Sequence, residues 1–260
     1  MKKIILSIVL ICSVMLSLGA QNKEKTYNYE GFTGIQASNA FQIHVTKSDN
    51  YSIKVEVDPE YEQYLMVKQD GKVLVLGFSE DLPRKMQTKS SKIVSARITM
   101  PSLVAVSLSG SADMACNGTF AAGMDEVKLY LSGSSSLKGF MIAAGKVDCQ
   151  VSGNSHVECE MEVGEVGTKV SGASKVILTG LAGDLEGEVS GASNLNAKDI
   201  SVETASFEIS GASRVQVAPT KELKVSVSGA STCIYKDNDQ LVINARSVTG
   251  ASTLKPASNK

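Results

Sequence analysis

Close copies of one five-residue motif, Val170-Ser171-Gly172-Ala173-Ser174, recur from Leu108 to Ser252. The eight glycines of these copies are spaced by 18 to 23 residues and are Gly110, Gly133, Gly153, Gly172, Gly191, Gly211, Gly229 and Gly250. A nearly constant period of about 20 residues is typical of a solenoid, in which each repeat packs only against its neighbours. This period limits the possible folds more than any other feature of the sequence.

Positions within a repeat are numbered here from its glycine. Positions −2 and +4 are apolar in every copy, and position −6 is apolar in every copy except the last, where it is Asn244. Alternation with a period of two is typical of strands with one buried face. The pattern therefore predicts two short strands per repeat, with even positions inward and odd positions, such as Lys169 and Glu208, facing solvent.

The glycine lies at a bend between the two strands. The absence of a β-carbon permits a tight bend or a positive φ, and position +2 is Ser or Ala in every copy, which lets neighbouring repeats stack closely. The hydroxyl at position −1, from Ser109 to Thr249, is expected to bond to the backbone of the bend or to its counterparts. These serines are interpreted as structural.

Stacked repeats of this kind bury their apolar positions only against each other, with parallel strand pairing about 4.8 Å apart. The predicted fold is all-β: a right-handed parallel β-helix of about eight coils over residues 101–260, continuous with an N-terminal antiparallel β region over residues 31–100 that caps it. A leucine-rich repeat is the competing solenoid, but its asparagine and leucine spacing is missing.

The N-terminal region alternates with period two. Phe41–Val45 and Ile53–Val57 flank a Ser48-Asp49-Asn50 turn, which predicts that they form an antiparallel pair. Asp58-Pro59-Glu60 predicts a short helix through Tyr64, and Asp70-Gly71 predicts a hairpin in which both residues take positive φ. Residues 80–91 are predicted to form a loop.

The N-terminus reads as an export signal. Lys2-Lys3 precede an apolar run from Ile4 to Leu18, and small residues follow, so residues 1–20 are predicted to be a signal peptide and residues 21–30 a polar leader. Lipid attachment at Cys12 is less expected, because Val9-Leu10-Ile11 lacks the small residues of a lipoprotein site. No later segment has the roughly 18 apolar residues of a spanning helix, so the mature chain is expected outside the cytoplasm, in the periplasm, at the outer surface or released.

Charge and composition exclude several partners. The chain has 26 basic and 27 acidic side chains, which give a net charge of −1 at pH 7. This charge balance gives no basic surface for binding nucleic acid or an anionic membrane. The four cysteines of the mature chain could pair in an oxidising compartment or remain buried thiols, and the sequence leaves both alternatives open: Cys116, Cys149, Cys159 and Cys233.

No catalytic, cofactor or metal site is predicted. His44 and His156 are the only histidines, and both occupy strand positions of the parity that faces solvent, whereas Cys149 and Cys159 have the opposite parity. No histidine accompanies the motif serines, so a Ser-His-acid triad has no support. Asn117-Gly118-Thr119 fits a glycosylation acceptor pattern, which on its own is a weak signal.

Enzymes that cut polysaccharides also use β-helices, which makes a lyase or glycosidase the alternative function. Such enzymes need clustered carboxylates. Glu158, Glu160 and Glu162 share one parity, but an acidic strand is more often a solvated face, and the other acids are scattered. Aromatic platforms for sugars are sparse, since the chain has no Trp.

The arrangement resembles the autotransporter adhesin head (GIN) domain family of secreted bacterial proteins. The resemblance covers about residues 30–254 and lies in Gly31-Phe32-Thr33-Gly34-Ile35, the Phe41–Val57 strands, Gly71–Val75, Pro101-Ser102-Leu103, the repeated Ser-Gly-Ala-Ser bend and Cys233-Ile234-Tyr235. It implies a β-helical binding role at the cell surface or envelope and supplies no catalytic residues.

The sequence thus predicts an exported, noncatalytic β-helix with a binding or structural role at the cell envelope. Its expected partner is an unidentified protein or glycan. A homo-oligomer is a further expectation, because the open ends of a β-helix are unpaired strand edges.

Overall fold

The computed structural model describes residues 22–87 and 94–258, so the expected signal peptide, residues 1–20, lies outside the described residues. The described ranges form one wound sheet and contain two short helices, a 3-10 helix over Glu62–Tyr64 and α1 over Arg84–Gln87. The strands are β1 (Lys23–Tyr27), β2 (Gly34–Ala37), β3 (Phe41–Lys47), β4 (Ser52–Val57), β5 (Leu65–Asp70), β6 (Val73–Phe78), β7 (Val94–Met100), β8 (Ala105–Leu108), β9 (Asp113–Asn117), β10 (Thr119–Ala121), β11 (Glu126–Leu131), β12 (Ser136–Val151), β13 (His156–Val170), β14 (Lys175–Val189), β15 (Asn194–Ile209), β16 (Arg214–Val227), β17 (Thr232–Tyr235), β18 (Val242–Val248) and β19 (Thr253–Pro256).

The repeats form a parallel β-solenoid of about eight coils, which confirms the predicted fold class. In the middle of the stack, each of the strands β12 to β16 runs from one glycine bend to the next and pairs in parallel with the strand of the following coil. Equivalent positions lie side by side, as where Val170 is paired with both Val151 and Val189. The period of the sequence is therefore the period of the structure.

The glycine bends stack directly on one another. Gly191 has a φ of 75°, and a β-carbon placed on it would lie 2.5 Å from the carbonyl oxygen of Gly172 in the coil before. That same oxygen accepts a hydrogen bond of 2.7 Å from the Ala192 amide. Glycine is therefore required for two reasons, a left-handed backbone conformation and the absence of space for a side chain.

The serine at position +2 supplies a second set of hydrogen bonds. The Ser193 hydroxyl is buried and donates to the Gly172 carbonyl at 3.3 Å, and the Ser231 hydroxyl donates likewise to Gly211 at 3.2 Å. The bonds predicted at position −1 are present too, because the hydroxyls of Ser152 and Ser228 donate at 3.4 Å to carbonyls of the preceding coil. Position +2 was expected only to be small, yet its hydroxyls satisfy buried carbonyls.

The predicted inward positions form the core. Positions −2 and +4 are buried from the first coil to the seventh, and the larger exposures of Val248 and Leu254 occur only in the last coil. Asn244, at position −6 of the last copy, is not apolar because the register between β18 and β16 shifts opposite Val225 and Ser226 of β16. Ile243, rather than Asn244, is therefore the residue that stacks on buried Leu223, and the apolar row continues.

A ninth bend precedes the eight glycine bends and was not predicted. Strands β2 and β3 form a coil around Ser38-Asn39-Ala40, and β8 and β9 stack on them in parallel. Asn39 has a φ of 64° and is the only residue other than glycine with a positive φ in the described ranges. Asn tolerates this conformation better than most residues, so Asn39 occupies the place of the glycine.

The expected pairing of Phe41–Val45 with Ile53–Val57 is wrong. Strand β7 lies between them, parallel to β3 and antiparallel to β4, so that Ala96 is paired with both Ile43 and Val55. Alternation correctly identifies each strand and its buried face, but it carries no information about which strand is the neighbour. The antiparallel strands of the cap are β1, β4 and β5, whereas β6 and β7 pair in parallel with β2 and β3 and continue the stack.

Two local predictions need small corrections. The hairpin between β5 and β6 pairs Asp70 with Val73, so its loop is Gly71-Lys72 and only Gly71 takes a positive φ. The segment after Asp58 begins with a turn, in which the Tyr61 amide is bonded to the Asp58 carbonyl. Its helix is one 3-10 turn over Glu62–Tyr64 with Tyr61, and not Asp58, as the N-cap. Within the predicted loop of residues 80–91, residues 84–87 form α1 and residues 88–91 lie outside the described residues.

Candidate binding surface

Outward-facing side chains at positions −5 and −3 form a polar surface on the strand segments that precede the glycine bends of successive coils. We call it the outer strand face. Position −3 places Tyr130, Gln150, Lys169, Glu188 and Glu208 side by side through parallel pairing. Position −5 adds, in the same order of coils, Lys128, Asp148, Gly167, Glu186, Ser206 and Lys224. Six coils at about 4.8 Å each give the face a length of roughly 24 Å.

A shallow depression of about 250 Å³ lies in the middle of this face. Gly167 contributes no side chain to its floor, and charged groups surround it: Asp148, Lys169, Glu186, Glu188, Glu208, Lys224 and Arg246. The Lys169 ammonium lies 3.1 Å from the Glu188 carboxylate. The surface therefore offers both donors and acceptors of hydrogen bonds with little excess of either charge.

Tyr130 is the exposed aromatic residue at one end of the face. Its hydroxyl donates to Asp148 Oδ2 at 3.1 Å, and Gln150 Nε2 donates to the same oxygen at 3.1 Å. Partial burial and the hydrogen bond to Asp148 raise the pKa of Tyr130, so its hydroxyl stays protonated at neutral pH. A second depression of about 250 Å³ connects Tyr130 and Gln150 with Lys169.

The core beneath the central depression is adapted to it. Gly187 occupies an inward position, and a β-carbon there would lie 2.6 Å from the ring of Phe207 and 2.6 Å from Thr168 Oγ1. The Phe207 ring thus fills the volume that a side chain at Gly187 would need, and the Thr168 hydroxyl is satisfied by the Glu186 carbonyl at 3.1 Å. This packing leaves no room for a side chain at Gly187 beneath the depression.

The residues considered for metal binding are not brought together. His156 lies on the outside, 3.9 Å from the Glu158 carboxylate, and partial burial followed by the charges of Lys175 and Lys138 lowers its pKa. Cys149 and Cys159 are buried on the inside of the same coil. Over the described ranges, no group of three or more His, Cys, Asp or Glu side chains is arranged to hold a metal ion.

All four cysteines of the described chain are free thiols. Burial raises the pKa of Cys116 and of Cys233 to about 12, and burial with a smaller effect of Asp148 raises that of Cys149 to about 12. The pKa of Cys159 is raised for the same reason, burial. Thiols in this state are neither nucleophiles nor metal ligands near neutral pH.

The acidic residues singled out from the sequence lie on a different face. Glu158, Glu160 and Glu162 point outward from the first half of β13, after the bend, and are all exposed. His44 is exposed as well, and Asn117 lies exposed at the end of β9. The outer strand face itself was not predicted as a unit, although all of its charged members occupy the odd positions that alternation assigns to solvent.

A larger depression of about 540 Å³ lies near the C-terminal end of the stack, lined by the segments 198–201, 218–220 and 236–240. Two of these segments belong to β15 and β16, and the third is the loop after β17, which is joined to β16 by the hydrogen bond from Asn238 Nδ2 to the Pro219 carbonyl at 3.2 Å. None of the helices in the described part of the chain has the length and apolar character that a membrane crossing requires.

Together, the coil stack and its polar outer face define a repeat protein of the β-solenoid class. The family model described as "Putative auto-transporter adhesin, head GIN domain" matches residues 31–238, and the chain belongs to this family. The resemblance seen in the sequence is thereby confirmed. The family points to an adhesin-like, exported protein.

Solved structures show the same fold. A "putative adhesin" from Parabacteroides distasonis has a TM-score of 0.79 at 17% identity, covering 92% of this chain and 98% of its own. A "putative lipid binding protein" from the same organism has a TM-score of 0.79 at 14% identity, covering 92% and 97%. A "putative adhesin" from Parabacteroides merdae has a TM-score of 0.76 at 19% identity, again covering 92% and 97%. At these identities the likeness establishes the fold alone, and no curated protein matches the chain significantly.

Proposed function

We propose that this protein is an exported, noncatalytic binding module of the cell envelope and that it binds a glycan along the outer strand face. The observation that carries the proposal is the cluster of Tyr130, Asp148 and Gln150 beside a polar depression that extends over several coils. An aromatic ring next to convergent polar groups is a common way to orient a ligand rich in hydroxyls.

The geometry suits an extended polymer. Each coil presents a polar side chain at position −3, and all but the coil of Gly167 add one at position −5, so a chain lying along the face meets a donor or an acceptor at each coil. The hydrogen bonds of Tyr130 and Gln150 to Asp148 hold that carboxylate in place before binding, which lowers the entropy lost on association.

Hydrolysis of the same polymer would need more than this face supplies. A glycosidase needs a pair of carboxyl groups flanking the bond, one of them shielded so that it retains its proton. Glu186, Glu188 and Glu208 are all exposed, and Glu188 is paired with Lys169. Binding without turnover is the chemistry that these groups support.

The test is a binding screen of the purified protein against a panel of bacterial envelope glycans, with phospholipid vesicles and an envelope protein extract alongside. Two variants address the face. Tyr130→Ala removes the ring, and Gly167→Gln fills the central depression without strain, because a β-carbon at Gly167 has only the Val147 carbonyl oxygen near it, at 3.9 Å. Ala115→Gln is the matched control, since Ala115 is exposed on β9, which follows its glycine bend and is not part of the outer strand face.

We expect a glycan in the panel to bind and both face variants to weaken it at least tenfold, while Ala115→Gln leaves it unchanged. Binding to vesicles or protein alone would overturn the choice of a glycan. Equal binding by the parent and both face variants would overturn the choice of surface. Shortening of the glycan during incubation, lost on replacing Glu186 or Glu208, would instead make the protein an enzyme.

A further inference from the structure

The C-terminal end of the coil stack is an uncovered strand edge. All seven residues of β18 are exposed, and within the described chain β18 pairs only with β16, as β19 pairs only with β17. The equivalent segments of the preceding coils pair on both sides and have buried residues at every second position. Backbone groups along one edge of β18 therefore have no strand to bond.

The apolar core ends at this edge without a cover. Ile243 stacks on Leu223 and Val248 stacks on Val227, yet Ile243 is 37% exposed and Val248 is 44% exposed, whereas the two residues beneath them are fully buried. Val242 is 56% exposed on the same strand. Three of the six large apolar side chains that are exposed in the described ranges thus lie within seven residues.

The opposite end of the stack is covered and charged. Antiparallel strands β1, β4 and β5 close it, and the inward residues of β4, Ile53, Val55 and Val57, are fully buried. Two strands are outermost there: β1 carries Lys23 and Lys25, both paired with Glu62, and β5 carries exposed Lys68 and Asp70. Charged edge residues of this kind oppose the addition of another strand, so the apolar end of one molecule has no matching surface at the charged end of the next.

We propose that the open C-terminal end pairs with the same end of a second copy of this chain about a two-fold axis, with β18 antiparallel to its counterpart. Reversal of the strand brings Ile243 of one copy beside Val248 of the other, so the inward apolar rows of the two cores become continuous. Arg246, the only charged residue of β18, lines the depression on the outer strand face and does not need to be buried. Because the same patch is used by both copies, the contact closes on itself and forms a dimer rather than a filament.

The dimer places two outer strand faces in one continuous sheet. An antiparallel junction between two β18 strands would extend the parallel stack of each copy through the axis. A polymer long enough to reach both faces would gain affinity from the second contact. The association itself rests on the strand edge alone and is independent of what the outer strand face binds.

The experiment is sedimentation equilibrium of the purified protein over a wide range of concentration. We expect the mass of a dimer, and dissociation of Ile243→Lys into monomers. Leu181→Lys is the matched control, because Leu181 is 57% exposed in the middle of the stack, away from the end, and this variant should remain dimeric. Circular dichroism verifies that both variants are folded.

Hydrogen exchange of the parent protein keeps the proposal testable if Ile243→Lys perturbs the last coil. The amides of β18 should exchange at least tenfold more slowly at high protein concentration than at low concentration, whereas those of β14 should not change. A monomer at every concentration, a mass that grows beyond the dimer, or a Leu181→Lys variant that dissociates as readily as Ile243→Lys would each overturn the proposal.

Discussion

The stacked glycine bends lead to a quantitative prediction for Gly191→Ala. The new β-carbon would lie 2.5 Å from the Gly172 carbonyl oxygen and 3.0 Å from the Gly172 nitrogen, at a φ of 75°. The left-handed conformation costs about 1–2 kcal/mol for a residue other than glycine. Relief of a clash with the backbone, which has no flexible end to move, adds about 1–3 kcal/mol.

The substitution also lowers the entropy of the unfolded chain, which offsets about 0.4–1 kcal/mol. The net expectation is a loss of about 1–5 kcal/mol in the free energy of unfolding, or about 2–20 °C in Tm for a chain of this size. Urea denaturation followed by circular dichroism measures the free energy. Hydrogen exchange at the Ala192 amide, which donates to the displaced Gly172 carbonyl, locates the damage.

Gly167→Ala is the control for glycine replacement as such. Its β-carbon would meet only the Val147 carbonyl oxygen, at 3.9 Å, and its φ is not positive. This variant should be as stable as the parent or more stable by about 0.5–1 kcal/mol. If Gly191→Ala unfolded with the same free energy as Gly167→Ala, neither the φ nor the contact between bends would explain why glycine recurs.

Two further predictions concern the interior of the coils. Ser174→Ala removes the hydroxyl that donates to the Gly153 carbonyl at 3.4 Å, and should lower the free energy of unfolding, measured by urea denaturation, by about 0.5–1.5 kcal/mol. The fold should be kept, because Ala112 occupies the same buried position in the first copy. A loss as large as that of Gly191→Ala would contradict this. The buried thiols should resist iodoacetamide at pH 8 in the folded protein and react after denaturation, as measured by mass spectrometry. Burial raises the pKa of Cys149 and of Cys233 to about 12 in the folded protein, so the free energy of unfolding should decrease as the pH rises above about 9, where the thiols of the unfolded chain ionise. Labelling of the folded protein at pH 8 would contradict the burial of the thiols.

Much of the fold was predictable because a period of two and a period of about 20 are both local signals. They assigned Leu185 and Val189 to the core and Glu186 and Glu188 to the surface without any knowledge of strand partners. The signal failed at Asn244, where one extra residue in the strand shifts the parity, and a count from Gly250 cannot detect a bulge that lies in between.

The N-terminal region was less predictable for a different reason. Strand β7 inserts between β3 and β4 although it lies more than 35 residues further along the chain, and no local pattern encodes such a neighbour. The bend at Asn39 carried a usable signal, because Ala37-Ser38-Asn39-Ala40 matches the bend motif with Asn in place of Gly. A search restricted to glycine overlooks it.

The residues of the outer strand face could not be recognised as a group from their order in the sequence alone. Tyr130, Asp148, Lys169 and Glu188 are about 20 residues apart and look scattered, but equal positions in successive coils are neighbours in space. When the sequence is written with one repeat per row, positions −5 and −3 each form a column, and these columns are two lines of neighbouring side chains across the sheet. Which of several such lines binds a ligand depends on side-chain volumes, as at Gly167, and not on the period.

The direct stacking of one glycine bend on the next has a consequence for how such a protein can change its length. Gly153, Gly172 and Gly191 are separated by 19 residues each, and every bend meets the same backbone geometry above and below. Loss or tandem duplication of one such unit in the gene would leave the neighbouring bends with equivalent partners. The length of the outer strand face can therefore grow or shrink in steps of about 4.8 Å, with each intermediate a foldable protein.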